Sequence, residues 1–176
     1  MSETLTTARL RLRPWKAEDA EELYVLASDP EVGPLAGWAP HPSADYSRQI
    51  IANFFMSETM WAIEELSTGR LVGSIGTLPN TVSNLPIDDD EEEAGYWVAR
   101  DKWGQGYCTE ALGAVVAQRF GSGGCRALWA TVFPDNAASR RVLEKCGFAD
   151  TERVVVSPRL EVGGDRKLNV LRLEKK

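Results

Sequence analysis

Apolar and polar positions alternate with a period of two from Arg9 to Arg13, where Leu10 and Leu12 stand between three arginines. That period predicts a strand with one wet face, ended by Pro14. The spacing then lengthens, and Ala20, Leu23, Tyr24 and Ala27 recur at helical intervals until Asp29-Pro30 stops the helix. Residues 31–43, rich in Gly, Pro and small side chains, read as a loop. A second helix is predicted over 44–57 with Ile50, Ile51, Phe54 and Phe55 inward. Residues 60–66 and 71–78 are β-prone runs joined by a turn at Ser67-Thr68-Gly69-Arg70. The stretch 79–90 lacks periodicity and predicts an exposed excursion.

Residues 94–99 read as a buried strand leading through a glycine-containing turn (102–106) into a helix. Tyr107, Ala111, Leu112, Val115, Val116 and Phe120 form its apolar face, and Gly121-Ser122-Gly123-Gly124 ends it. A strand over 126–132 and a short helix over 136–146 follow, the latter with Gly147 at its stop. Two last strands, 149–156 and 167–173, flank a turn at Gly163-Gly164-Asp165. The order βααβββαβαββ, without repeat or linker, predicts one α/β domain over residues 1–176 with a mixed sheet and a core from about 7 to 174.

Composition narrows the classes. The 176 residues are 43% hydrophobic and 26% charged, suited to one packed core and a wet surface. No run approaches the roughly 20 apolar residues a membrane span needs, and the N-terminus has no secretory pattern; the expectation is a cytoplasmic protein. A net charge of −6 argues against nucleic acid as partner. Cys108, Cys125 and Cys146 are too far apart for a cysteine zinc site, and His41 is the one histidine, so no metal centre is expected. Cys108 falls near a predicted helix start, where a thiolate is favoured, although a packed, inert thiol is the plainer reading. His41 reads as a surface residue or as a lining of an acceptor pocket. A homodimer is compatible with the chain, but no residue demands one.

The informative arrangement is strand, Gly104-Gln105-Gly106, helix. A helix start presents N–H groups without partners and favours an anion, and the glycines let a phosphate approach the backbone. A tight strand–helix turn would use the same two glycines. A dinucleotide fingerprint would need a third glycine where Thr109 stands, and a P-loop would need Gly-Lys-Ser/Thr where Gly106-Tyr107-Cys108 stands.

Glu93-Ala94-Gly95-Tyr96-Trp97-Val98, then Gly104-Gln105-Gly106-Tyr107 and Thr109-Glu110-Ala111, resemble the cofactor motif of the GNAT superfamily of N-acetyltransferases. The run from Asn136 to Phe148 and the opening Thr7-Ala8-Arg9-Leu10-Arg11-Leu12-Arg13-Pro14 resemble its RimJ/RimL branch, the ribosomal-protein-type N-terminal acetyltransferases. The resemblance covers nearly the whole chain. It implies a mixed, mostly antiparallel central sheet flanked by helices, acetyl-CoA as co-substrate, and direct attack by an amine, whether a peptide N-terminus or a small molecule. It further implies that Trp97, Val98 and Ala99 run along the pantetheine arm, with a backbone N–H aimed at the thioester oxygen. Gly104, Gln105, Gly106, Tyr107, Cys108 and Thr109 would grip the pyrophosphate. Where many relatives carry Gln or Arg, this chain has Asp101, which leaves Lys102 and backbone amides as donors nearby. Where many carry a catalytic tyrosine, it has Leu143.

By the same resemblance Ser139 is the group that protonates the leaving thiolate and Asn136 a cofactor ligand. Read on chemistry alone, Asn136 caps its helix and Ser139 sits in the first turn. Glu93, immediately before the cofactor strand, is the candidate base; the alternative is a solvated acidic run, Asp88–Glu93, which would also attract a cationic substrate. A module that binds acyl-CoA without turnover has the same letters.

Overall fold

The computed structural model describes residues 2–121, 124–156 and 166–176. Strand β1 (Leu5–Thr6) turns back into β2 (Leu10–Arg13), where Leu10 and Leu12 are fully buried and Arg11 is exposed. The period of two is thus realised as one core face and one wet face. A turn over Ala17–Asp19 leads into α1 (Ala20–Ala27), whose Ala20, Leu23 and Ala27 pack inward. Then come α2 (Val32–Ala36), α3 (Ala44–Ile50), β3 (Met60–Glu65), β4 (Leu71–Pro79) and β5 (Glu91–Val98). The chain finishes with α4 (Tyr107–Gly121), β6 (Ala127–Val132), α5 (Ala137–Lys145), β7 (Ala149–Val156) and β8 (Lys167–Glu174).

The eight strands form one sheet in the order β1-β2-β3-β4-β5-β6-β8-β7. Every pairing is antiparallel except β5 with β6, so the sheet is mixed and mostly antiparallel, as expected. One face packs on α4 through Ile63, Ile75, Ala111, Leu112, Val115 and Leu128. The other packs on α1 and α3 through Trp15, Leu23, Ala27, Ile51, Ala62 and Leu71.

Three expectations need correction. Residues 32–36 are helical rather than loop, despite Gly33 and Pro34. Gly33 is needed because a Cβ there would lie 2.5 Å from the Trp38 ring, and Gly37 ends the helix at φ +90°. Helix α3 does not run evenly to residue 57. After Ile50 it widens into a π-helical turn, Ile51–Phe55, in which Met56 N–H donates to Ile51 at 3.0 Å. The wider turn breaks the 3.6 period, so Ile51 is buried while Phe54 is 64% exposed. The excursion after β4 is not wholly exposed either, since Leu85 is buried against Trp129 and Val170. The turn expected at Gly163–Asp165 lies outside the described residues, as do Ser122 and Gly123 of the predicted terminator.

One buried network fixes where α4 begins. Glu65, at the end of β3, accepts hydrogen bonds from Tyr107 Oη (2.5 Å), Lys102 Nζ (2.9 Å) and Thr68 Oγ1 (2.9 Å). These donors, Tyr107 first, hold its carboxyl down at about 2, below the ordinary 4.5. A depressed carboxylate stabilises the fold fully above its unfolded value, and that contribution is lost as pH falls from about 4.5 toward about 2. Glu65→Gln is therefore expected to flatten the loss of stability across that acid window, read as Tm against pH. A mutant curve parallel to the parent's through the window would refute the linkage.

Candidate active site

Strands β5 and β6 pair at only three positions, Glu91–Ala127, Glu92–Leu128 and Glu93–Trp129. Yet β4 stays with β5 as far as Val98, and β8 stays with β6 as far as Val132. The sheet therefore opens between its two halves beyond Glu93. Ala99 N–H donates to Val72 at 2.8 Å, toward β4. Because amide direction alternates along a strand, Trp97 also faces β4, while Tyr96 and Val98 point their N–H groups into the opening. The Val98 carbonyl, on that same side, accepts from Trp103 Nε1 at 3.1 Å. Of the three residues expected along the pantetheine arm, Val98 and Trp97 line the opening; Ala99 lies behind it with its amide bonded.

The opening is a cleft of about 1700 Å³. Pockets for one small ligand run to about 300–1,000 Å³, so there is room for two substrates. At one end stands the glycine corner. Gly104 and Gly106 have φ of +71° and +81°, values that disfavour any side chain. A Cβ on Gly104 would meet nothing within 4 Å, and one on Gly106 would meet only Arg9 Nη2 at 3.4 Å. The backbone is thus exposed for close approach, with Tyr107, Cys108 and Thr109 opening α4 behind it. Gln105 is exposed; its side chain donates to the Asp101 carbonyl and its own carbonyl accepts from Arg9 Nη1 at 2.9 Å.

Arg9 is a residue that sequence reasoning missed here. Glu110 grips it at the backbone N–H (2.8 Å) and at Nε (2.7 Å), and its guanidinium lies 4.4 Å from the Tyr107 ring centre. That arrangement parks a fixed positive charge beside Gly106. Lys102, the donor expected from sequence, pairs with Glu65. Tyr107 turns its hydroxyl to the same carboxylate, so only its backbone is available at the corner. Cys108 lines the cleft as a neutral thiol, since burial pushes it up to about 12.

Across the cleft, Asn136 caps α5: its Oδ1 accepts from Ser139 N–H at 3.1 Å, while its Nδ2 donates to the Leu35 carbonyl of α2 at 3.3 Å. Both ends of its amide are engaged within the protein. Ser139 Oγ lies 3.0 Å from Tyr96 Oη, which also donates to the Ser139 carbonyl at 3.1 Å. Burial pushes the Tyr96 phenol well above its ordinary value, so it stays a neutral donor. The resemblance gives Tyr96 a place in the cofactor strand but no part in the chemistry at Ser139. Its alternation with Trp97 and Val98 was the available signal, for it places Tyr96 on the α4 and α5 face.

Glu93 is buried, 6% exposed, and lines the cleft where β5 leaves β6. Its Oε2 accepts from Ser83 Oγ (2.7 Å) and Asn84 N–H (3.1 Å), and its Oε1 from Thr131 Oγ1 (3.2 Å). Four others of the acidic run are ion-paired, Glu92 with Arg119, Glu91 with Arg126 and Arg172, Asp88 and Asp90 with Arg126, while Asp89 accepts from Asn80 Nδ2 at 2.5 Å. Those pairs tie β5 to α4, β6 and β8. His41 is buried, not a surface residue; its Nδ1 lies 2.8 Å from Ser47 Oγ, and desolvation lowers its pKa. Two β4 hydroxyls that line the cleft, Ser74 Oγ and Thr77 Oγ1, are buried without a partner.

The donor set fits a thioester carried on a diphosphate. Amides of Tyr96 and Val98 face the opening, an uncovered glycine backbone and Arg9 stand at one end, and Arg141 and Lys145 line the same cleft from α5. The GNAT acetyltransferase domain matches this chain over residues 9–149. The uncharacterized N-acetyltransferase YoaA of Bacillus subtilis (strain 168) is 32% identical over 149 residues, 82% of this chain and 81% of the relative. The fold is shared with a GNAT-family acetyltransferase from Bacillus anthracis, at TM-score 0.81 and 19% identity over 98% of this chain and 99% of that one. It is shared also with Mycobacterium smegmatis RimJ in complex with CoA-disulfide, at TM-score 0.74 and 24% identity over 94% and 81% of the two chains. The chain belongs to the GNAT acetyltransferase family, whose members use acetyl-CoA. Within it, the protein is an N-acetyltransferase.

Proposed function

We propose that the whole chain is one catalytic domain, which moves an acetyl group from acetyl-CoA directly to a primary amine inside the split between β5 and β6. The observation that carries this is the three-position pairing of β5 with β6, which leaves the amides of Tyr96 and Val98 facing a cleft that ends at Gly104 and Gly106. Bound acetyl-CoA supplies the acetyl thioester. Backbone N–H groups at 104–109 and the Arg9 guanidinium hold the diphosphate; Arg141 and Lys145 supply further positive charge. An amide of β5 polarises the thioester carbonyl, a role worth roughly 2.7–4 kcal/mol per donor in other enzymes.

Glu93 acts as base and Ser139, backed by Tyr96, as acid. Glu93 first takes one proton from the ammonium, which frees the nitrogen lone pair; a second leaves the nitrogen as its bond to the acetyl carbon forms and the carbon–sulfur bond breaks. Ser139 delivers one to the departing sulfur, and Glu93 passes the other to solvent. Glu93→Gln is expected to lower kcat and remove the acid limb of the pH–rate profile, the rise in rate as the base loses its proton. An intact profile would discard the assignment, and Glu93 would then serve only to anchor Ser83, Asn84 and Thr131.

The motif runs Thr7–Pro14 and Asn136–Phe148 support placing the chain in the RimJ/RimL branch. Two acceptor classes remain, a peptide N-terminus and a small-molecule amine. The cytoplasm, where acetyl-CoA and amines meet, is the proposed setting; no described helix is long and apolar enough to cross a membrane. Thiol release across a panel of amines and N-terminal peptides tests activity, and calorimetry with coenzyme A tests the cleft. No heat of association with folded protein would end the transferase reading.

A further inference from the structure

The two ends of the cleft differ in chemistry. Its cofactor end carries Lys102, Arg141 and Lys145, with Arg9 beside it. At the other end, bounded by α2, α3 and the π-helical turn, no lysine or arginine lines the cleft among the described residues; the charged side chain there is Glu58. His41 is held neutral by burial. Among the described residues an acceptor with a phosphate or carboxylate would meet no counter-ion there, and a polyamine would meet too few carboxylates.

What that end does carry is aromatic surface. Trp38 meets Trp97 edge-on with ring centres 5.4 Å apart, and it meets His41 at 5.4 Å. His41 in turn meets Tyr46 at 5.0 Å. Phe54 and Phe55 line the same wall. Phe54 is 64% exposed and, with the exposed Leu35 and Tyr46 that line the same end, makes an apolar patch of the kind that marks a binding site. A second, independent sign comes from β4. Ser74 is 2% exposed, its Oγ has no hydrogen-bond partner, and it stands opposite Trp97 in the β4–β5 register. A buried hydroxyl without a partner is costly, and one that lines a cleft beside a tryptophan is placed to meet a ligand.

We propose that the acceptor is an arylalkyl primary amine, a single aromatic ring on a short alkyl arm. Its ring lies against Trp38 and Trp97, and its nitrogen donates a hydrogen bond to Ser74 Oγ on the way to the thioester. This rests on the transferase reading and deepens it: the ring would be selected by offset or edge contacts with the two indoles, and the ammonium by aromatic faces and the carboxylates of Glu58 and Glu93, at an end where no described lysine or arginine lines the cleft.

The probes are phenethylamine, butylamine, spermidine and an alanine-led tripeptide, compared with the full chain and acetyl-CoA. Phenethylamine is expected to show kcat/KM at least about tenfold above each of the others, a gap within reach of one aromatic anchor. Ser74→Ala removes a hydroxyl that nothing in the protein uses, so Tm should hold or rise while KM for phenethylamine climbs. Trp38 also packs on Gly33, so Trp38→Phe is preferred to alanine; it should erode the advantage of phenethylamine over butylamine with the Kd for coenzyme A unchanged. Binding of phenethylamine is read separately, by quenching of tryptophan fluorescence. Binding without transfer would sink the catalytic reading and leave the acceptor site standing. Efficient transfer to spermidine or the tripeptide with no preference for phenethylamine would overturn the proposal, as would a Ser74→Ala enzyme with unaltered KM.

Discussion

Ser139→Ala is expected to lower kcat by about a hundredfold or more, the lower range for loss of a positioned proton donor, while the Kd for coenzyme A shifts by less than about twofold. The Oγ lost is the one paired with Tyr96 Oη at 3.0 Å, in a half-buried position between β5 and α5. The phenol is held neutral by desolvation, and in the proposed mechanism it would replenish the serine proton as the sulfur takes one. Tyr96→Phe should therefore slow turnover too, by less, because Ser139 remains. The double mutant should fall close to Ser139→Ala alone, the non-additivity of groups that act as a unit. Single-turnover rates with acetyl-CoA would show it. Additive losses would mean that the two hydroxyls serve separate purposes, and an unchanged rate in Ser139→Ala would remove it from the chemistry.

Gly106→Val is expected to weaken coenzyme A binding by about a hundredfold, combining backbone strain with a side chain on the surface a phosphate must approach. At φ +81° a valine costs at least the roughly 1–2 kcal/mol of a left-handed residue. Its branches would stand next to Arg9, whose Nη2 already lies 3.4 Å from the Cβ position. The corner can answer only by changing its φ or displacing Arg9, and either disturbs the anion site. Gly69 supplies the control. It sits in the β3–β4 turn at φ +67° with open space around a Cβ, so Gly69→Val imposes similar strain far from the cleft. Both mutants should melt a few degrees early; only Gly106→Val should lose heat of binding in calorimetry. Equal affinity in the two would show that the corner does not hold the diphosphate.

Much of the architecture was legible because it follows from local periodicity. Leu10 and Leu12 alternate with arginines and form β2; Ala111, Leu112 and Val115 recur at helical spacing and face the core. The glycines at 104 and 106 sit where φ is positive, and Asn136 caps α5, both consequences of short-range backbone geometry. The π-helical turn after Ile50 was not legible, since its single added residue per turn leaves no composition signal and surfaces only as Phe54 facing outward. Helix α2 was hidden by Gly33 and Pro34, whose presence is explained by Trp38 packing rather than by helix propensity.

The sequence by itself determined the order of the strands and helices other than β1 and α2, the glycine corner and the identity of the polar groups at 93, 136 and 139, because each depends on residues within a turn or a strand of one another. The tertiary structure alone decided which groups meet. It set Tyr96 against Ser139, 43 residues on, and Arg9 against Glu110, 101 residues on. It matched the acidic run to Arg119, Arg126 and Arg172, and it parted β5 from β6 after three pairs. Such partnerships arise from register and layer packing, which bring distant segments together at separations no local pattern encodes.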